Sequence, residues 1–112
     1  MKRSVLAFAI VIGISAGAHA ECVSVKYRET CVPLDKLECT PTESSFVHQV
    51  CYDQKNRYMV ILLNTTRYHY CDIPKETVTA LVQAESVGRF YNTVVKGKFS
   101  CEGQAVPTYS EE

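Results

Sequence analysis

The sequence predicts an α+β fold: a small three-stranded antiparallel meander sheet, two helices packed on one face, and a disulfide-stapled N-terminal segment. Three observations predict it. Short β-rich runs between Phe46 and Cys71 are joined by loops too short for crossovers. Two stretches after Pro74 and Ser86 carry apolar residues at helical spacing. Six cysteines occur in a chain of only 112 residues, a density typical of small exported domains.

In chain order, residues 1–20 read as a signal peptide. Met1-Lys2-Arg3 is basic, Val5 to Gly17 is apolar or small, and Ala18-His19-Ala20 is an A-x-A cleavage site. That run is too short to cross a hydrocarbon core of about 30 Å. Glu21 stands directly before Cys22, which argues against a lipid anchor. Cleavage after Ala20 would leave ten basic against twelve acidic residues. No later segment is long and apolar enough to insert, so a soluble periplasmic or secreted product is expected, with no membrane insertion after cleavage.

Residues 21–43 form a Cys-rich N-terminal segment. Val23, Val25 and Tyr27 alternate as one short strand from Cys22 to Arg28 would, whereas Pro33, Pro41 and the polar run Thr40–Ser45 mark irregular chain. The gaps between Cys22, Cys31, Cys39, Cys51, Cys71 and Cys101 are 8, 7, 11, 19 and 29 residues. No close pair suggests zinc, and an even count in an oxidising compartment predicts three disulfides. Six cysteines allow about fifteen pairings.

Strands follow at Phe46–Tyr52, Tyr58–Leu63 and Arg67–Cys71, with turns at Asp53–Asn56 and Asn64–Thr66. The middle strand is apolar on both alternating faces, so both faces need cover. The first and third strands of a meander lie about 9.5 Å apart, beyond the roughly 7 Å that a disulfide tolerates. A Cys51–Cys71 bond is therefore excluded, and Cys22–Cys31 with Cys71–Cys101 is the favoured pairing. Pro74 suits a first helical turn with Glu76 behind it; Val78, Leu81 and Val82 form the buried stripe. Ser86 is positioned to cap a second helix bearing Val87, Phe90, Tyr91 and Val94, which Gly97 stops. Residues 102–112 form a C-terminal tail.

Balanced charge, 12 Lys+Arg against 12 Asp+Glu, excludes a polybasic surface for indiscriminate nucleic-acid binding. No phosphate loop, HExxH, CxxC or GxSxG is present, which removes the usual signals of NTPases, zincins, thioredoxin-like enzymes and serine hydrolases. No nucleophile–base pair can be named, so the chain reads as non-enzymatic, with no cofactor. His48 and His69 lie on the first and third strands without a third ligand to make a metal site. Asn64-Thr65-Thr66 is formally a glycosylation sequon; in a bacterial-looking exported protein it serves as a turn.

Residues 44–101 resemble the KTSC domain, named for its occurrence at the C-terminus of some lysyl-tRNA synthetases. The resemblance rests on an ordered set: Tyr52-Asp53, a hydrophobic strand, Tyr68-His69-Tyr70, Ile73-Pro74, Ala84-Glu85-Ser86-Val87-Gly88, Phe90-Tyr91-Asn92 and Lys96-Gly97-Lys98. It implies a small stand-alone bacterial module of unassigned function, with RNA binding suggested by the synthetase association. Exported, cysteine-bearing chains would be a branch of that family.

Tyr68 and Tyr70 leave the same face of one strand. They would serve either as a base-stacking platform or as core beneath the helices; core is the commoner fate. Arg89, Lys96 and Lys98 form a basic cluster for phosphate or an acidic partner, or simply a solvated face. Together these five residues are the candidate binding set. The partner class is an unidentified protein or small ligand, with nucleic acid as the alternative.

Overall fold

The computed structural model describes residues 22–109. The expected signal peptide, residues 1–20, and the end of the tail, residues 110–112, lie outside the described residues. Eight regular elements follow: β1 (Cys22–Val23), β2 (Val32–Pro33), β3 (Glu38–Pro41), β4 (Val47–Asp53), β5 (Tyr58–Leu63), β6 (Thr66–Tyr70), α1 (Lys75–Gln83) and α2 (Val87–Phe90). A π-helical turn, Tyr91–Val95, continues α2.

The main sheet is antiparallel in the order β3-β4-β5-β6. It therefore has four strands rather than the expected three, and β1 pairs with β2 in a separate two-stranded sheet. The fourth strand was hidden for a physical reason. β3 is an edge strand whose residues are exposed or only partly covered, so no apolar alternation marks it, and Pro41 is tolerated at its end because an edge strand need not donate outward there. The expected strand Cys22–Arg28 is also corrected. Pairing ends at Val23, and Tyr27 sits in a turn at φ +70°.

β5 is buried from Tyr58 to Ile61, because each sheet face has its own cover. On one face Val50, Tyr52, Met59 and Ile61 meet Val78 and Leu81 of α1, Val87 of α2, and Tyr91 and Val95 of the π turn. On the other, Cys51, Tyr58 and Val60 meet Val23, Val25, Val32 and Leu37 of the N-terminal segment. Tyr52 donates its hydroxyl proton to the Ile73 carbonyl at 2.7 Å, tying the sheet to the approach of α1.

Pro74 is the N-cap of α1 rather than its first residue, with extended φ and ψ. Ser86 caps α2, its hydroxyl accepting from the Arg89 N–H at 3.1 Å. The π turn shifts the expected core register by one position. Lys96 N–H reaches back five residues to the Tyr91 carbonyl at 2.8 Å, and Val95 rather than Val94 becomes fully buried.

All six cysteines are paired, as Cys22–Cys31, Cys39–Cys51 and Cys71–Cys101. Cys39 and Cys51 are register partners across β3 and β4. Such bonds point to an oxidising, non-cytoplasmic location. Among the described residues no helix is long and apolar enough to cross a membrane.

Candidate functional site

β6 is an edge strand, and its outer side is only partly covered. Lys26 N–H donates to the Arg67 carbonyl at 2.8 Å, and Cys71 N–H donates to the Phe99 carbonyl at 2.8 Å. These two contacts bring the N-terminal loop and the chain after the π turn alongside opposite ends of β6. Between them runs a groove of about 1030 Å³. Tyr27–Thr30 form one wall, Tyr68–Tyr70 the floor, and Gly97, Lys98 and segments of Ser100–Val106 the other wall. The disulfides Cys22–Cys31 and Cys71–Cys101 anchor the two walls near their bases.

The groove's side chains are tied into ordered contacts. Arg28 donates from Nη1 to the Tyr58 hydroxyl at 3.3 Å, and that hydroxyl lies 2.9 Å from Nδ1 of His69. Arginine only donates, so the Tyr58 oxygen accepts from Arg28, which leaves its hydroxyl free to donate a hydrogen bond to Nδ1. That arrangement corresponds to the neutral tautomer of His69 protonated at Nε2. Burial, reinforced by the Arg28 charge, holds its pKa below the usual histidine range. Arg28 also lies over the rings of Tyr58 and Tyr109, 5.6 and 5.7 Å from their centroids. Lys26 Nζ is 5.4 Å from the Tyr27 ring and 5.6 Å from that of Tyr68. Tyr27 is 80% exposed, the sole large exposed hydrophobic among the described residues.

Of the five sequence candidates, the structure brings Tyr68, Tyr70 and Lys98 to the groove; Arg89 and Lys96 do not line it. Both tyrosines also pack against the helix-side core. Tyr70 shares a 2.5 Å hydroxyl contact with Tyr91, and the two rings meet edge to face. Burial first, then that contact, raises its phenol far above the ordinary range. Tyr70 is therefore a core residue with one side on the groove. Tyr27 and Arg28 were missed as site residues; the only signal was an aromatic-basic dipeptide beside two cysteines. His48, at the register shift between β4 and β5, is exposed. Among the described residues no three His, Cys, Asp or Glu side chains converge as metal ligands would.

Comparison with known proteins fits this anatomy. The KTSC domain family profile matches residues 43–99. A protein of Tsukamurella paurometabola is 35% identical over 60 residues, covering 53% of this chain and 90% of its own. The crystal structure of a KTSC domain protein from Yersinia pestis superposes with a TM-score of 0.54 at 32% identity, covering 57% of this chain and 92% of that one. The matched region supplies the groove floor, together with Gly97 and Lys98. Tyr27–Thr30 and the wall beyond Ser100 lie outside it. Cys39–Cys51 and Cys71–Cys101 each join a cysteine outside it to one inside and so attach the added segments to the shared body, whereas Cys22–Cys31 closes the N-terminal segment on itself. With its β4–β6 meander, its two helices and its ordered motifs all inside that profile, the chain belongs to the KTSC domain family.

Proposed function

We propose that this protein is an exported, non-enzymatic binding module that receives its ligand in the groove along β6. The carrying observation is the groove itself: walls drawn largely from outside the shared body flank one edge strand, one closed into a loop by Cys22–Cys31 and the other tied to the end of β6 by Cys71–Cys101. Its volume matches the upper range of ligand sites, about 300–1000 Å³. Its aromatic and cationic lining, Tyr27, Tyr68, Arg28 and Lys98, suits recognition rather than bond making. The one imidazole present has Nδ1 engaged by Tyr58, which leaves it no part as a base at that nitrogen. Export is supported by the three disulfides and by the leader-like pattern of residues 1–20.

Two-dimensional amide NMR of protein purified from a bacterial periplasm tests this reading. A fragment mixture should shift amides of Tyr27, His69, Lys98 and Gln104. Absence of shifts in the groove contradicts the proposal. So does single-stranded RNA that instead shifts Arg89 and Lys96 with steep salt dependence.

A further inference from the structure

At one outward-facing position of β6, at the centre of the groove floor, neither backbone group is bonded. Backbone groups along a strand's edge alternate inward and outward with a period of two. Arg67 makes one outward bond, its carbonyl accepting from Lys26 N–H, and Cys71 makes one, its N–H donating to the Phe99 carbonyl. His69, midway between them, must also turn its N–H and C=O outward, and no turn or loop of the described residues bonds to either group. The spacing from Arg67 to Cys71 is about 13 Å at 3.3 Å per residue. The edge is thus sealed at both ends and open for about three residues in the middle.

From this we propose that the groove's ligand is an extended polypeptide segment that adds to β6 as a short strand, with an acidic side chain opposite His69. The inference rests on the binding-module reading and names its ligand class. Edge addition supplies affinity through main-chain bonds and specificity through alternate side chains. The walls make the choice of occupant. The N-terminal loop and the chain after Gly97 flank the opening on both sides, and another copy's β6 would bring the same two flanking segments with it, so a lone extended segment suits the opening better than a second copy's β6.

Charge sets the central residue. A residue paired with His69 projects its side chain on the same face as His69. That face holds Arg28, whose Nη1 is 3.3 Å from the hydroxyl that His69 also contacts. Arg28 has no carboxylate partner; the sole ion pair among the described residues is Arg57–Asp72. Glu29 and Glu102 also border the groove but are exposed on its walls, whereas Lys26 and Lys98 flank the floor. The neighbours of the central residue fall on the opposite face, beside Tyr68 and Tyr70, and should be apolar. Tyr27 supports a recognition role independently: a non-glycine residue at positive φ holds a large ring in solvent, a strained arrangement of the kind concentrated at binding sites.

The test uses the periplasmic protein and the probe acetyl-Thr-Val-Glu-Val-Thr-amide, followed by amide NMR. The probe should shift His69 and its neighbours and slow exchange of the His69 amide. Methylating the Glu nitrogen should weaken binding about tenfold, since a ladder bond is lost. Replacing Glu by Gln should weaken it about threefold, and Arg28→Gln should abolish that difference. A methylated probe that binds as well as its parent overturns strand addition, as does a probe that leaves the groove unmoved. If fragments shift the groove and peptides do not, this inference falls and the binding-module reading survives. If neither does, both fall.

Discussion

Gly88 shows how a single atom decides the helix packing. A Cβ there would lie 2.7 Å from Cε1 of Phe46 and 3.3 Å from the Ser44 hydroxyl. The Phe46 ring is held edge-on against Tyr91 at 6.1 Å between centroids, so it has little room to retreat. Gly88→Ala gains about 1 kcal/mol of helix propensity but overpacks at a cost of about 1–3 kcal/mol. A net loss of up to about 2 kcal/mol in unfolding free energy, read as a lower denaturant midpoint, is expected; a stabilised variant would refute the account of this contact. At His69, desolvation is the larger depressor of the pKa and Arg28 the smaller. Arg28→Gln should therefore raise, but not fully restore, the His69 pKa in an NMR titration. An unchanged or lower value would show that the Arg28–Tyr58–His69 relay is not formed. The Tyr68-His69-Tyr70 alternation was legible as sequence, but the work of each residue was not. Tyr70 is engaged by Tyr91 and His69 by Tyr58, partners that lie 21 and 11 positions away in the chain.

Elements with a strong period were legible. β5 could be read from its two apolar faces, and α1 from Val78, Leu81 and Val82. β3 carried no such pattern because its side chains face solvent, and its place in the sheet is set by register with β4 and by Cys39–Cys51. Removing that bond with Cys39→Ala and Cys51→Ala together frees a loop of 12-residue separation, about 3 kcal/mol in the chain-entropy account. At about 4–8 °C per kcal/mol, Tm should fall by roughly 12–24 °C, with β3 amides losing protection before those of β5. Uniform loss of protection would mean that β3 is integral to one cooperative unit. The groove was not legible for a different reason. Its walls, residues 27–30 and 97–106, are far apart in sequence and have no shared period, and the positive φ at Tyr27 breaks the alternation that placed it in a strand.

Across the whole molecule, ionisation bounds the range of stability on both sides. The His69 pKa is depressed, so the unfolded chain binds the proton first, and stability falls as pH drops below about 6.5. Asp53 is desolvated, yet bonds from Asn56 and Tyr109 and from the local backbone outweigh that and lower its pKa. Its contribution is present above its unfolded value and is lost as pH falls through the folded one. Tyr52, Tyr58, Tyr70 and Tyr109 are all raised, chiefly by burial. Their unfolded forms ionise first, and stability declines above about pH 10. Urea midpoints at pH 4.5, 8 and 10.5 should therefore peak at pH 8; a midpoint rising steadily in either direction contradicts this assignment. The same scale explains the cross-links. The added segments cover the second face of β5 with few apolar residues, and the bonds hold that thin cover and the groove walls in place.

Amide hydrogen exchange along β6 in the free protein addresses the open edge most directly. Tyr68 and Tyr70, bonded inward to β5, and Cys71, bonded to Phe99, should exchange slowly, while His69 between them exchanges fast. A His69 amide as protected as its neighbours would mean the position is already filled, and the groove would then have no strand to receive.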